Sequence, residues 1–538
     1  LFIWLIHTIF SFLLLPPGDD LGVYFTPSLG IKNLFQNGMY IGDDFLHQYF
    51  VQPGFAFFHG LFFKLLSLIK IPVNYYTYRL PQILFVLMLL LGTVYLINLY
   101  HRKNQTNYLI QSNIFLIILA VTPFAQNCWY VRPDILGLVF IIIGLICYKY
   151  QQNSDHNINI LYYASALFLG FATTVHLNFI IVVSPVIIII LIHDFRRNQQ
   201  CLKYFLFLFM FGFPSLVVAW WYYIHYPESV RELIYVLTLK SRVSLGYGGG
   251  LLRLAQEALM HGDWVTIDKK LYYAFFTMPL FIILLGSTIL VRKNLIMIKT
   301  NHYNLMLFTL YLTSILTLIA DRRGWYNYFT ITAFFALLFV TTVITYKLPI
   351  TKYDFQKGFL HKFILGVLLM LASTEFLIHG TKYLLSSKKY FYSPRVYSEV
   401  TKELKQGDTL FIRTNKFIAP FSGLFDDQYG NEPDINVYHV FPNRYLENLE
   451  KKMRMFLMNK VKELSHDKIV WAYTKKNIEF NRNKMEIRLS IYTIDTEHKN
   501  RIFINIKVKN IIYEDSYYLV IRAESINIIF SPLDTKME

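Results

Sequence analysis

The chain has 538 residues, of which 54% are hydrophobic, 17% aromatic and only 16% charged. Charged residues make up about 25% of an ordinary soluble domain, so this composition points to a bilayer and excludes a single water-soluble core. The net charge of +17 does not indicate nucleic acid, because Lys and Arg collect in the cytoplasmic loops of membrane proteins and no basic stripe lies on a soluble fold.

Residues 1–15 carry no fixed charge and stop at Pro16-Pro17-Gly18, after which come two adjacent carboxylates, Asp19 and Asp20. A carboxylate pair at the exit of a membrane helix is costly to place there without a use, although it also stops the helix from sinking further. The Pro-Pro-Gly-Asp-Asp run is a poor cleavage site, so the first segment reads as a span rather than a signal peptide. The chain opens on Leu rather than Met, and a preceding segment is expected.

Further apolar stretches of spanning length follow at 80–100, 109–126, 133–149, 160–175, 177–193, 203–224, 271–291, 304–320, 325–346 and 360–381. With the first they make about 11 spans. The run 160–193 is too long for one span, and His176 with Asn178 supplies the polar break that divides it. Basic clusters at His101-Arg102-Lys103, Arg196-Arg197, Arg292-Lys293 and Lys347 to Lys362 then share one side, the cytoplasm under the positive-inside rule. Residues 53–70 are apolar enough to enter the bilayer, but a full crossing would turn every later basic loop outward. They are expected as a re-entrant or interfacial helix.

Beyond residue 382 the pattern changes. Residues 485–492 and 502–509 alternate apolar and polar, the mark of half-buried strands, whereas 443–466 read as a Lys/Glu-rich helix. The fold class expected is therefore a membrane all-α polytopic bundle over residues 1–382, with a first outer loop at 17–79, and a C-terminal α+β extracytoplasmic domain over 383–538. The cysteines, Cys128, Cys147 and Cys201, lie in or beside apolar segments, so no disulfide framework is expected in that domain.

The polar residues assigned to the outer face form a chemical set. Asp19 and Asp20 follow the first span, and Asp43, Asp44 and His47 lie later in the loop. Arg79 precedes the second span, Arg132-Pro133-Asp134 opens the fourth, and Arg322-Arg323-Gly-Trp-Tyr326-Asn-Tyr328 opens the tenth. Arginine suits a lipid phosphate because its planar fork gives paired hydrogen bonds and never titrates away. A carboxylate suits the deprotonation of a sugar hydroxyl. Arg322 and Arg323 can equally snorkel to headgroups at a helix end. His47 and His176 fit satisfied structural histidines better than metal ligands, since no His/Asp/Glu spacing resembles a ligand set. Gly248-Gly249-Gly250 has neither the preceding strand nor the following Lys-Ser/Thr of a phosphate cradle, and reads as a hinge.

The order of these features resembles the GT-C glycosyltransferases of the protein O-mannosyltransferase and aminoarabinose transferase type. Asp20 with Tyr24 matches the acidic residue after the first span and the Tyr four positions on. Gly38 matches the Gly after a juxtamembrane helix, and Gln52-Pro53-Gly54-Phe55-Ala-Phe57 is similar to a Lys-Pro-Pro-Leu-Phe-Tyr-Trp-like stretch. Arg79-Leu80-Pro81, Arg132-Pro133-Asp134 and Trp325-Tyr326-Asn-Tyr328 complete the series. The likeness covers residues 1–345. It departs from the family at Gln52, where the family has Lys, at Gly54, where it has a second Pro, and at Asp19-Asp20, where it has Asp-Glu.

The resemblance implies a sugar transferred from a polyprenyl-phosphate donor to a lipid, glycan or protein acceptor on the extracytoplasmic face, with inversion. Asp20, or Asp19, would be the base. Arg79, Arg132, Arg322 and Arg323, with Gln52, Tyr326 and Tyr328, would meet the donor and its phosphate. Asp134 would be either the partner of Arg132 or a direct sugar contact. No cofactor is implied with certainty, and a divalent metal is compatible although no ligand set is visible. The location expected is a bacterial inner membrane. Two rivals are a lipid-linked polysaccharide ligase or polymerase, which would rely on arginines without needing Asp20, and a transporter. A transporter would place its polar residues near the bilayer midplane rather than at span ends.

Overall fold

The structure, a computed structural model, describes residues 4, 8, 53–71, 77–101, 108–120, 124–125, 128, 132–153, 159–176, 178–196, 201–225, 302–320 and 326–344. In the C-terminal part it describes 402–405, 407–413, 436–439, 468–474, 478–492, 500–514 and 518–532. Two compact units divide the chain. One comprises Leu1–Leu13, Phe50–Phe58 and Arg79–Thr381, the other Leu14–Tyr49, His59–Tyr78 and Lys382–Glu538.

The described part of the first unit is helical. Its helices are α2 (Leu80–His101), α3 (Tyr108–Ala120), α4 (Pro133–Asn153), α5 (Asn159–Val175), α6 (Asn178–Phe195), α7 (Cys201–His225), α8 (His302–Ala320) and α9 (Tyr326–Phe339). The last runs into a π-helical turn, Val340–Ile344. The bounds of α4 to α7 lie within a few residues of the expected apolar stretches, α3 ends six residues before the expected 126, and His176 divides α5 from α6 as anticipated.

Helix α1 (Pro53–Leu68) has 16 residues, about 24 Å at the helical rise and so short of a bilayer core of about 30 Å. Among the described residues, four stretches are long and apolar enough to cross a membrane: Leu80–Tyr100, Pro133–Gln152, Asn178–Phe195 and Cys201–Trp220. Shorter apolar helices occupy Gln111–Ala120, Ile160–Val175 and Thr330–Thr342. The chain is an integral membrane protein. The expected spans at 271–291 and 360–381, and all of the first except Trp4 and Thr8, lie outside the described residues.

Why these helices bundle is visible in their faces. Phe140, Ile141 and Leu145 of α4 are buried, as are Leu169 and Ala172 of α5 and Val183, Val186 and Ile190 of α6. The opposite sides of α2, α6 and α7 expose Leu91, Ile188, Phe205, Leu216 and Trp220, the apolar surface that a lipid-facing side presents. Trp4 ties the first segment to α3, its indole Nε1 donating to the Leu116 carbonyl at 3.0 Å.

The end of α4 remote from Pro133 carries a buried polar knot. Asp194 of α6 is buried, and its Oδ1 lies 3.1 Å from His193 Nδ1. The same oxygen accepts from the Tyr148 hydroxyl at 3.4 Å and from Gln152 Nε2 at 3.4 Å. His193 stacks on His302 of α8, ring centroids 3.5 Å apart. Lys149 Nζ lies over the Tyr303 and Tyr100 rings at 4.5 and 5.4 Å.

The described C-terminal part of the second unit forms one seven-stranded sheet. Its strands are β1 (Thr409–Arg413), β2 (Asn436–His439), β3 (Ile469–Thr474), β4 (Glu479–Asn481), β5 (Glu486–Tyr492), β6 (Asn500–Glu514) and β7 (Tyr518–Pro532). Their order is β2-β1-β3-β7-β6-β5-β4. β1 pairs in parallel with β2 and β3, and every other pairing is antiparallel. The two alternating stretches read from sequence are β5 and the middle of β6, whereas the expected helix at 443–466 lies outside the described residues.

Arg522 of β7 is buried and grips Asp408 with both Nη groups, at 2.8 and 2.7 Å, while Nη2 also donates to the Glu403 carbonyl at 3.0 Å. Such a fork is the strong form of a buried ion pair. The turn before β1 needs Gly407, whose φ of +78° is reached without strain only by glycine.

Candidate functional site

Where α4 begins, the chain places two opposite charges within two residues of each other. Pro133 is the first residue of the helix, a position where its missing N–H costs nothing and its fixed φ is already helical. The residue before a proline is pushed toward extended backbone. Arg132 therefore stands outside the helix while Asp134 stands in its first turn, where the exposed N–H groups favour an anion.

Both side chains are buried, Arg132 at 4% and Asp134 at 3% exposure. Arg132 Nε donates to Asp134 Oδ2 at 2.9 Å. The guanidinium is thereby held in one plane by a short, charge-assisted hydrogen bond. The sequence had placed Arg132 simply at a span end, but this arginine is packed inside the protein.

A third residue arrives from α5 and α6. His176 sits in the break between them and is buried. Its Nδ1 accepts the backbone N–H of Asn178 at 3.1 Å, doing for α6 what a Ser or Asp side chain does at other helix N-termini. An amide N–H can only donate, so Nδ1 carries a lone pair and the ring proton sits on Nε2. That Nε2 lies 3.9 Å from Asp134 Oδ1, beyond hydrogen-bond length. Asp134 Oδ1 is buried and has no hydrogen-bond partner among the described residues.

Two glycines let this convergence happen. A Cβ on Gly137, one turn past Asp134, would overlap the Phe179 ring, and that ring packs edge-on against His176 with centroids 5.9 Å apart. A Cβ on Gly54, in the first turn of α1, would overlap Thr174, two residues before His176. Small residues thus allow α1 and α4 to close on the turn that carries the histidine.

Of the other residues expected in the site, Arg79 is buried at the end of a 3-10 turn, Thr77–Arg79, that leads into α2. One turn further along α2, Gln82 is fully buried, its Nε2 donating to the Cys128 carbonyl at 2.6 Å. This bond ties α2 to the segment that leads to Arg132. Tyr326 and Tyr328 lie in the first turn of α9. Asp19, Asp20, Gln52, Arg322 and Arg323 lie outside the described residues. The structure thus unites Arg132 with Asp134 and adds His176, which the sequence suggested as a structural histidine. Its Nδ1 has that role, and only its Nε2 faces the carboxylate. Among the described residues no three His, Cys, Asp or Glu side chains group as a metal site.

No family model matches the chain, and no curated relative matches it. Among solved structures it is similar to ArnT from Cupriavidus metallidurans, crystallised with undecaprenyl phosphate bound. The TM-score is 0.55 at 11% sequence identity, covering 97% of this chain and 97% of that chain. At that identity the likeness is one of fold, and it extends through the C-terminal sheet as well as the helical bundle. In fold, the chain is similar over nearly its whole length to a GT-C aminoarabinose transferase.

Proposed function

We propose that the chain is an integral-membrane glycosyltransferase that moves a sugar from a polyprenyl-phosphate donor to an acceptor on the extracytoplasmic face, with inversion. The observation that carries this reading is the buried Arg132–Asp134 pair at the start of α4, in a fold whose solved counterpart was crystallised with undecaprenyl phosphate. A lipid phosphate leaving group gathers negative charge as the glycosidic bond breaks. An arginine already fixed in orientation stabilises that charge without reorganising at the moment of reaction. Arg79, Gln52, Arg322, Arg323, Tyr326 and Tyr328 complete the proposed donor-binding set.

In this scheme Asp20, or Asp19 beside it, removes the proton from the acceptor hydroxyl. The oxygen attacks the anomeric carbon from the face opposite the phosphate, the bond to the phosphate oxygen breaks, and the lipid phosphate leaves. The C-terminal sheet then belongs on the extracytoplasmic side, and the protein in a bacterial inner membrane.

The test is transfer of a labelled sugar from undecaprenyl-phosphate donors by the full-length protein in proteoliposomes, with the anomeric configuration of the product read by NMR. Transfer with inversion from the monophosphate donor is expected. Turnover confined to lipid-diphosphate oligosaccharides would assign the protein to the polysaccharide ligases or polymerases instead.

A further inference from the structure

Gln82 of α2 is fully buried, one turn past Arg79. A carbonyl can only accept, so the amide nitrogen of Gln82 is the atom that meets the Cys128 carbonyl, at 2.6 Å, and the amide oxygen is turned away from it. That Oε1 is buried and has no hydrogen-bond partner among the described residues, and Asp134 Oδ1 is in the same state. The two residues lie at one depth. Helices α2 and α4 run parallel: a Cβ on Gly92 would lie 3.1 Å from Ile142 and 3.9 Å from Ile146, and further along both helices Lys149 Nζ sits 5.4 Å from the centre of the Tyr100 ring. Ten residues back from Gly92 is Gln82, and ten back from Ile142 and Ile146 are positions 132 and 136, which bracket Asp134. Buried acceptors left without donors are costly, and two of them stand level on neighbouring helices beside the residues proposed to take the donor.

Resting on the glycosyltransferase reading above, we propose that Gln82 is a further donor-binding residue, its Oε1 accepting one hydroxyl of the transferred sugar while Asp134 Oδ1 accepts another. The chemistry selects the group. An amide oxygen and a carboxylate oxygen only accept, so an ionised phosphate, which offers acceptors alone, has nothing to give them. An ammonium is not called for, because Arg132 already offsets the charge on Asp134 at 2.9 Å. A sugar ring supplies what is missing, neutral O–H donors on neighbouring carbons. Arg79 and Gln82 then divide the donor between them along the start of α2, the arginine for the phosphate and the glutamine for the sugar. The bond to Cys128 fixes the Gln82 amide before the ligand arrives, so little side-chain freedom is lost on binding.

The test pairs a change in the protein with a change in the sugar. The full-length protein in lipid nanodiscs is titrated with bare undecaprenyl phosphate, with undecaprenyl phosphates carrying glucose, mannose, galactose or arabinose, and with the monodeoxy forms of the tightest binder. In the wild type, loss of one particular hydroxyl is expected to weaken binding about tenfold, since the acceptor it served is left buried and unmet. Gln82→Met keeps the length of the side chain without its oxygen. In that variant the same deoxy lipid should bind as well as its parent, a coupling that a merely structural glutamine does not produce. Gln82→Lys, which retains a donor for the Cys128 carbonyl but no acceptor, should show the same loss of discrimination and stands in where Gln82→Met does not fold. If every deoxy lipid binds wild-type protein like its parent, or if all the deoxy penalties survive in these variants, Gln82 Oε1 meets a resident water and the proposal is overturned while the glycosyltransferase reading stands. Failure of both the bare and the sugar-bearing lipids to bind would bring down that reading itself, and the role of Gln82 with it.

Discussion

The two ends of α4 each border a buried aspartate, and the two are satisfied in opposite ways. Asp194 is enclosed by polar groups of its own protein: Tyr148, Gln152 and His193 all lie within 3.1–3.4 Å of one oxygen. Asp134 is pinned by a single cation through one oxygen, and the other accepts nothing among the described residues. Some 14 residues of α4 separate Asp134 from Tyr148, about 21 Å along the helix axis. A carboxylate enclosed by its own protein has nothing left to offer a ligand and serves to join helices. One held open has been positioned but not used up. Under the proposed function, the Asp194 end serves structure and the Asp134 end is where the chemistry is expected.

The largest expected effect falls on the proposed base. Asp20→Asn should lower transfer by about 10²–10⁴-fold, the usual worth of general-base assistance, with carrier binding retained. The same assay on Asp19→Asn separates the two carboxylates, and full activity in both would sink the mechanism. Next in size is Arg132→Ala, expected to lower turnover by about 10²–10³-fold through loss of a preorganised cationic donor. Because Arg132 is buried, this variant also strands Asp134 as an unpaired charge. Its yield and melting temperature should fall, so Arg132→Lys, expected to be intermediate in turnover, is measured beside it.

Gly54→Val is expected to be weaker. A side chain there meets Thr174 and forces α1 away from the His176 turn, an overpacking cost of about 1–3 kcal/mol seen as a lower melting temperature. The smallest effect on activity belongs to Asp194→Asn. Transfer should stay within about twofold of wild type while thermal stability drops by about 1 kcal/mol, the scale of a hydrogen bond. A large loss of transfer in Asp194→Asn without unfolding would break the contrast between the two ends.

The helical part of this fold was legible because bilayer-crossing segments announce themselves by length and apolarity alone. The bounds of α4, α5, α6 and α7 differ from the expected ones by a few residues, where polar side chains such as Tyr148 to Asn153 still belong to the helix. The alternation that revealed β5 and β6 worked because one face of each is covered. The parallel trio β1, β2 and β3 stayed hidden, since β1 and β2 are 5 and 4 residues long, too short for a periodic pattern to show. Within the site, Arg132-Pro133-Asp134 could be read directly because its members are neighbours in sequence. The approach of His176 to Asp134 could not, because it depends on Gly137 admitting Phe179 between two helices. The knot around Asp194 left a faint trace, a His-Asp pair closing one apolar run and His302 opening another, which the functional reading did not weigh.

The position of β7 has a consequence for biosynthesis. This strand, residues 518–532, lies in the middle of the sheet, between β3 and β6, and Arg522 on it closes the ion pair with Asp408. On a ribosome, β1, β2 and β3 emerge first and the β4–β6 meander later, and among the described strands it is β7 that pairs with both groups. Until then β3 and β6 each present an unpaired edge, the template from which strands of neighbouring chains aggregate. A nascent chain stopped before residue 518 would lack the strand that pairs with both β3 and β6, and Asp408 would be without its arginine. Translation errors late in the message would therefore be as damaging to this domain as errors at its start.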